Sequence, residues 1–195
     1  MNTLGHRPRV AFQGEHGAFS EDAAIQLLGP EIELVPCPTF AALFSSIDEG
    51  FADYLLAPVE NTLVGTIEPV ATLLNESLLA DIGEIAIQIQ QQLIGCPGAV
   101  LEEIDAVESH PAALSQCRQF FAQHPLIKRI EAEDTAGSVA RILRSGARRR
   151  AAIASRRAAK LYGGAILKED LQDVRENYTK FVLLRLPHGR GESPS

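Results

Sequence analysis

A chain of 195 residues, 46% of them hydrophobic, is long enough to bury one substantial core or two small ones, which argues against a disordered protein. Its formal net charge of -7 argues against nonspecific nucleic-acid binding, because such binding needs clustered Lys and Arg that neutralise phosphates. No segment approaches the roughly 20 apolar residues that span a bilayer, and the N-terminus lacks an apolar stretch of the secretory type. We therefore expect a cytoplasmic protein without nucleic-acid or membrane partners.

Short β-like runs alternate with amphipathic helical stretches along the chain, and this alternation predicts an α/β fold. The predicted helices begin after the cap residues Ser20, Thr39, Thr66 and Thr135 and, in one case, at Pro111. The predicted strands are 9–12, 33–37, 54–59, 84–94, 106–108, 129–132, 151–154 and 180–186.

The long run at 84–94 and the final strand predict two α/β lobes joined by crossing strands, with a cleft between them. Folds of this kind bind ligands with the loops at strand ends. We assign residues 8–85 plus 175–187 to the first lobe and residues 86–174 to the second. Residues 188–195 contain Gly, Pro and Ser and are typical of a linker.

The cysteines and histidines show no spacing typical of a disulfide framework or a metal site. Cys37, Cys96 and Cys117 are widely separated and form no CxxC pair, so we expect reduced thiols in or near the core. The five histidines lack i, i+4 pairing and acidic company. We predict neither a metal nor a cofactor.

Four predicted loops place a small or polar residue at a helix N-terminus directly after a strand: Ser20, Thr66, Ser109 with His110, and Thr135. Free backbone N–H groups and the positive end of the helix dipole would suit a small anion there. Each residue, taken singly, is better explained as a helix cap, which any α/β protein needs. The coincidence of four such loops favours a ligand without identifying it.

Asn61 follows an apolar strand, at a place where an amide can both donate to and accept from a ligand. Because Asn also tolerates left-handed turns, a purely structural role stays open. The preceding Glu60 either orients Asn61 or is structural.

Five segments of this sequence occur in the order typical of one family. They are GEHGAFSEDAA from Gly14, PVENTLVGTIEP from Pro58, ESHPAALSQC from Glu108, DTAGSVA from Asp134, and AAIASRRAAKLYG running on to NYTKFVLL. Together they resemble the prephenate dehydratase family from Val10 to about Leu186. The resemblance implies two lobes like those of type 2 periplasmic binding proteins. It also implies that the chain converts prephenate to phenylpyruvate, with loss of carbon dioxide and water, in phenylalanine biosynthesis.

The resemblance also assigns roles to individual residues. It implies that Thr179 protonates the leaving hydroxyl and that Asn61, Ser109 and Gln116 complete the catalytic polar set. Positioned acid catalysis of this kind contributes about 10²- to 10⁴-fold. The further residues expected at the substrate are Gly17, Ala18, Ser20, Glu60, Thr62, Gly65, Thr66, His110, Thr135, Ala136, Lys180 and Phe181.

Two features depart from the family pattern. The family usually has Arg where this chain has Lys180, and an ammonium cannot form the bidentate fork that a guanidinium makes with a carboxylate. Either the substrate is held more loosely or Lys180 acts as a point charge, and we expect Lys180→Arg to keep or improve substrate affinity. Family members also commonly continue into a regulatory ACT domain, so this chain is expected either to lack feedback control or to be a catalytic fragment.

Two other functions remain open at the level of sequence. One is a dehydratase that prefers arogenate, a substrate that differs from prephenate in one substituent of the side chain. A noncatalytic module that binds a small anion could use the same fold. By family expectation the protein is a homodimer.

Overall fold

The computed structural model describes residues 7–187, and within them it shows a mixed α/β fold with two separate β-sheets. This confirms the predicted α/β class. The expected tail at 188–195 lies outside the described residues. No helix within residues 7–187 is long and apolar enough to cross a membrane. Cys37, Cys96 and Cys117 are free and buried, as predicted.

The elements follow one another from β1 to β11 along the chain. They are β1 (Arg9–Gln13), α1 (Phe19–Leu28), β2 (Glu33–Cys37), α2 (Phe40–Asp48), β3 (Tyr54–Asn61), β4 (Gly65–Thr66), α3 (Glu68–Glu76), β5 (Ala80–Gln88), β6 (Gln92–Gly95), a 3₁₀ turn (Leu101–Glu103), β7 (Ala106–Ser109), α4 (Pro111–Ser115), α5 (Arg118–Gln123), β8 (Lys128–Glu131), α6 (Thr135–Ser145), β9 (Arg150–Ala154), α7 (Arg156–Tyr162), β10 (Ala165–Lys168) and β11 (Tyr178–Arg185).

Contacts within the chain divide it into two compact units. The first unit contains residues 7–13, Ala23–Ile87 and 178–187, and the second contains Gly14–Asp22 and Gln88–Asn177. Residues 14–22 were expected in the first lobe, whereas in the structure this segment packs with the second unit.

The sheet of the first unit has the order β2-β1-β3-β11-β5, with the short β4 beside β3. β1 is parallel to β2 and β3, and β11 is antiparallel to β3. β1 and β3 read as continuous apolar runs because both of their faces are covered: Leu55, Leu56 and Ala57 are fully buried. Helices α2 and α3 contribute Leu43, Phe44, Ile47 and Val70 to this core.

The sheet of the second unit has the order β10-β6-β9-β7-β8, in which β7 is parallel to β8 and β9. Side chains of β9 alternate between two cores, as the pleat requires. Ala151 and Ile153 pack with Phe120 and Phe121, whereas Ala152 and Ala154 pack under α6 and α7.

The predicted strand at 84–94 is in fact two strands, β5 and β6, separated by residues 89–91. The backbone of this connection pairs with the segment before β11: Ile89 N–H donates to the Asn177 carbonyl at 2.7 Å and Leu171 N–H to the Gln91 carbonyl at 2.8 Å. Alternating hydrophobicity could not reveal this change of partner, because the apolar pattern continues across it.

The predicted N-caps are only partly correct. Thr39 caps α2, with Oγ1 accepting from Ala42 N–H at 3.1 Å. Ser20 instead lies inside the first turn of α1, which begins at Phe19, and Thr66 lies in β4, so that Ile67 occupies the N-cap position of α3. These two predictions were wrong because the chain enters each helix at a different residue from the one that the hydroxyl suggested.

Candidate functional site

The structure brings Asn61 and Thr179 together although 118 residues separate them in the sequence. They face each other in the antiparallel pair of β3 and β11, so their side chains lie on the same face of the sheet. Asn61 Nδ2 donates to Thr179 Oγ1 at 2.9 Å and to the Tyr178 carbonyl at 3.1 Å. Both side chains are almost buried, with 8% exposure each.

The orientation of the Asn61 amide is fixed by the turn that follows it. Its Oδ1 accepts from the backbone N–H groups of Leu63, at 2.9 Å, and Val64, at 3.3 Å. Because peptide N–H groups only donate, the amide oxygen must face them and the NH₂ group must face Thr179. Thr179 Oγ1 is therefore an acceptor in this contact, and its own proton is directed elsewhere. No group within residues 7–187 accepts that proton.

Thr62 extends the pairing of β3 with β11 by one more residue. Its Oγ1 accepts from Tyr178 N–H, and its N–H donates to the Tyr178 carbonyl, both at 2.9 Å. Thr62 was predicted to contact the substrate. The structure shows that it fixes the start of the strand that carries Thr179.

Three further predicted site residues lie next to Asn61 where β3 pairs with the short strand β4. They are Glu60, Gly65 and Thr66. Glu60 is paired with Thr66, and Asn61 is paired with Gly65. Gly65 has φ +82°, a left-handed conformation that favours glycine in the tight return of the chain. Glu60 and Thr66 are exposed.

Lys180 and Phe181 take different positions from those the family pattern suggested. Adjacent strand residues point to opposite faces, so the Lys180 side chain lies on the face opposite Thr179. There its Nζ forms an ion pair with Glu84 Oε2 at 2.6 Å, and this hydrogen bond and charge raise the pKa of Lys180. Phe181 is 2% exposed, so it belongs to the core and the prediction of a substrate contact is not supported.

In the second unit, Gln116 ends helix α4 and is held at both of its oxygens. Its carbonyl accepts from Asp173 N–H at 2.7 Å, and its Oε1 accepts from Asn177 Nδ2 at 3.0 Å. No acceptor for Gln116 Nε2 exists within the described part of the chain. The side chain therefore offers an NH₂ group to a ligand.

Ser109 and His110 form the junction of β7 with α4. Ser109 is completely buried, and its Oγ donates to the Ile153 carbonyl of the neighbouring β9 at 2.6 Å. This hydrogen bond ties Ser109 to the neighbouring strand, and its catalytic role stays a prediction. His110 caps α4 with Nδ1, which accepts from Ala112 N–H at 3.1 Å. In the neutral ring Nε2 must then carry the hydrogen and can donate it.

The N-terminus of α6 already holds a carboxylate of the protein. Thr135 was the predicted cap, but Asp134 occupies that position and accepts from Gly137 N–H. Aspartate is at least as good an N-cap as threonine, and its charge also favours the helix dipole. The Ala136 side chain is fully buried in the core. The Asp134 carboxylate therefore already occupies part of the anion site expected at Thr135 and Ala136.

The turn at Gly17 is packed tightly against the start of α7. Ser155 Oγ caps α7 at Ala158 N–H and also contacts the Gly17 carbonyl at 2.6 Å. A Cβ atom at Gly17 would lie 2.9 Å from Ala158 Cα, and φ is +91°. Both facts require glycine at this position. Ala18 and Ser20 follow on the same segment, and Ser20 is buried.

A partly buried ion-pair cluster holds the same segment to α7. Arg157 contacts Glu21 Oε1 at 3.4 Å and donates to the Asp22 carboxylate, while Glu21 Oε2 accepts from Gly17 N–H and contacts His16 Nδ1 at 2.9 Å. Burial raises the pKa of Asp22, and Arg157 opposes that shift. No sequence motif predicted this cluster. The available signal was a pair of arginines in the first turn of a helix, where the dipole disfavours cations unless carboxylates lie nearby.

The family model described as prephenate dehydratase matches residues 10–188 of this sequence. The chain belongs to the prephenate dehydratase family. This confirms the resemblance drawn from the five motifs.

Individual relatives agree with this assignment. The chain is 37% identical to "Arogenate dehydratase/prephenate dehydratase 2, chloroplastic" of Arabidopsis thaliana over 92% of its length, and it spans 47% of that protein. It is also similar to the crystal structure of prephenate dehydratase in complex with L-Phe from Arthrobacter aurescens, with TM-score 0.85 and 27% identity, over 95% of this chain and 63% of that one. A third relative, described as GqqA, a quorum quenching acylase, is 30% identical with TM-score 0.82, over 96% of this chain and 67% of that one. The chain thus spans about half the length of the curated relative.

Proposed function

We propose that this chain catalyses the decarboxylating dehydration of prephenate to phenylpyruvate, the hydro-lyase step of phenylalanine biosynthesis. Family membership supports the reaction class. The observation that carries the proposal for this chain is the 2.9 Å contact from Asn61 Nδ2 to Thr179 Oγ1, which leaves the threonine proton free for a leaving group.

In the proposed reaction, the ring carboxylate of prephenate leaves as carbon dioxide. The electron pair of the broken C–C bond moves through the ring and expels the hydroxyl on the opposite carbon, and the ring becomes aromatic. Thr179 gives its proton to that oxygen, which departs as water. A threonine hydroxyl is a poor acid, so the Asn61 NH₂ group has to stabilise the Thr179 oxygen once it has lost its proton. A proton from solvent then restores the hydroxyl. Hydrogen bonds to a charged oxygen are stronger than those to a neutral one.

Gln116 is a candidate binding group within the second unit. The NH₂ group of Gln116 has no acceptor in the described chain and suits a carboxylate or keto oxygen of prephenate. A hydrogen bond to a charged group contributes about 1.5–3 kcal/mol. We assign Gln116 to substrate binding and Thr179 with Asn61 to the chemical step.

The test is an ultraviolet assay of phenylpyruvate formation with three variants of the purified chain. Thr179→Ala should lose at least about 10²-fold in kcat, whereas Thr179→Ser, which keeps the hydroxyl, should lose much less. Thr72→Ala is the matched control, because Thr72 is an exposed helical threonine whose hydroxyl contacts only the Glu68 carbonyl. Undiminished turnover by a folded Thr179→Ala protein would remove Thr179 from the mechanism.

Arogenate is the second candidate substrate, since the Arabidopsis relative is named for both compounds. Arogenate carries an ammonium group where prephenate has a keto oxygen. Assaying both compounds with the same preparation, and comparing kcat/KM, distinguishes the two dehydratases.

The relative described as a quorum quenching acylase suggests amide hydrolysis as a further activity to assay. An acylase with a hydroxyl nucleophile needs a base that accepts its proton. Thr179 Oγ1 receives a hydrogen bond from an amide and donates to no base within residues 7–187. This arrangement favours proton donation over nucleophilic attack.

The homodimer and the cytoplasmic location stay proposals from the family and the composition. Sedimentation at micromolar concentration should give a dimer, and a monomer would contradict this expectation. Cell fractionation tests the location.

A further inference from the structure

Within residues 7–187, the side chain of Gln116 has one hydrogen-bond partner, the buried Asn177. Asn177 is fully buried at the end of the second unit, and its Nδ2 donates to Gln116 Oε1 at 3.0 Å. Its carbonyl accepts from Ile89 N–H at 2.7 Å, which fixes the backbone from which the side chain projects. The two amides therefore meet in a defined geometry.

A glutamine amide is nearly symmetric in shape, but its two ends differ chemically. One end is an acceptor and the other is a double donor. Rotation by 180° exchanges the two with little change in packing, so packing alone cannot decide which end a ligand meets. In the structure the Asn177 NH₂ group faces the Gln116 oxygen, so the Gln116 NH₂ group is left for the ligand.

The neighbouring Asp173 has a different task. Its carboxylate accepts from the N–H groups of Arg118, at 3.0 Å, and Gln119, at 2.9 Å, at the start of α5. Its own N–H donates to the Gln116 carbonyl at 2.7 Å. Asp173 thus fixes the backbone of Gln116, and only Asn177 acts on the orientation of its amide.

We infer that Asn177 is a positioning residue that holds the Gln116 amide with its NH₂ group toward the substrate. The inference rests on the proposed function for the identity of that substrate. The orientation itself can be tested without turnover.

The first test is a double-mutant cycle in the full chain. Asn177→Asp replaces the donor by an acceptor of the same size, so Gln116 should rotate to donate to it and present its oxygen to the substrate. The expected loss in kcat/KM is about 10- to 100-fold, which corresponds to one hydrogen bond to a charged group. In a Gln116→Ala background the same substitution should cause almost no further loss. An equal loss in both backgrounds, or no loss in either, would overturn the inference.

Gln116→Glu provides a second test if Asn177→Asp does not fold, because this variant leaves Asn177 intact. The glutamate keeps the acceptor that Asn177 uses but has no donor for the substrate. Thermal unfolding should stay near that of the unaltered chain while KM rises by about the same factor as in Asn177→Asp. An unchanged KM contradicts the inference.

A spectroscopic measurement separates the inference from the proposed function. In ¹⁵N-labelled chain, the Asn177 side-chain NH₂ resonances should move when Gln116 is replaced by Ala, and the Gln116 resonances should move when Asn177 is replaced by Asp, whether or not prephenate is turned over. If these resonances respond but no variant has dehydratase activity, the orientation holds and the proposed substrate is wrong. If they do not respond, the positioning role is wrong.

Discussion

Asn61 combines two tasks in one side chain. Its oxygen closes the turn on Leu63 and Val64, and its NH₂ group reaches Thr179. The first task needs only an acceptor, whereas the second needs a donor. Aspartate could perform the first and not the second, so the two tasks can be separated by one substitution.

Asn61→Asp should therefore keep the fold and lose activity. The carboxylate would accept the Thr179 proton and withhold it from the leaving group, and the expected loss in kcat is about 10²- to 10³-fold, as for other positioned donors. Steady-state kinetics with circular dichroism measures both effects. Asn75→Asp is the matched control, because it makes the same chemical change at an exposed asparagine away from Thr179. Nearly full activity in Asn61→Asp would show that the donor contact to Thr179 is dispensable.

Lys180 provides a second prediction at this scale. Because it is paired with Glu84 on the face opposite Thr179, Lys180→Met should change kcat and KM by less than about threefold, as expected for an exposed ion pair. Glu84→Gln, which removes the partner from the same pair, is the matched variant and should behave alike. A large rise in KM for Lys180→Met alone would restore the lysine to substrate binding, as the sequence first suggested.

At the scale of elements, the start of α7 connects the segment 14–22 to the second unit. Ser155 caps the helix and contacts Gly17, while Arg157 pairs with Glu21 and Asp22. Removing Arg157 would leave the buried Glu21 carboxylate and the partly buried Asp22 carboxylate without this cation. The glycine-rich turn of the family motif is therefore held by packing and charge together.

Gly17→Ala should destabilise the protein more than Gly163→Ala. Both glycines have positive φ, at +91° and +75°, but only at Gly17 does an added Cβ meet backbone, 2.9 Å from Ala158 Cα. Backbone strain of this kind costs about 1–3 kcal/mol, and the steric contact should add to it. Urea unfolding of the two variants measures the difference. Equal free energies of unfolding would show that the turn moves away from α7 without cost.

Most elements were predictable because their signals are local. The bounds of β2 and the cap Thr39 follow from a short apolar run and from one hydroxyl at a helix start. The failures have nonlocal causes. At 89–91 the backbone changes partners within an unbroken apolar pattern, and Arg157 finds carboxylates 135 residues away. Motif resemblance singled out Asn61, Gln116 and Thr179 as candidates, but only coordinates show which polar atoms of each already have a partner within the chain.

At the scale of the whole molecule, five successive chain segments alternate between the two units. Neither unit is one continuous stretch, so neither should fold far ahead of the other. Each unit contains buried thiols: Cys37 lies in the first, and Cys96 and Cys117 lie in the second. These thiols can report on each unit separately.

We expect the thiols of both units to become reactive over the same range of urea concentration. Burial raises the pKa of Cys37 and raises that of Cys117 to about 12, so neither forms the reactive thiolate near neutral pH while folded. Alkylation in increasing urea, followed by mass spectrometry of the peptides, measures the exposure of each thiol. Labelling of Cys117 at urea concentrations that still protect Cys37 would show that the units unfold independently.

The fixed direction of the two amides has a consequence for what this protein can discriminate. Within the second unit, Gln116 Oε1 is occupied by Asn177, so the Gln116 amide has its NH₂ hydrogens left for a ligand. A compound that places an oxygen at the Gln116 NH₂ group would gain a hydrogen bond there, whereas one that places an ammonium group there would gain none. Chemical polarity, and not shape alone, would then select between otherwise similar molecules.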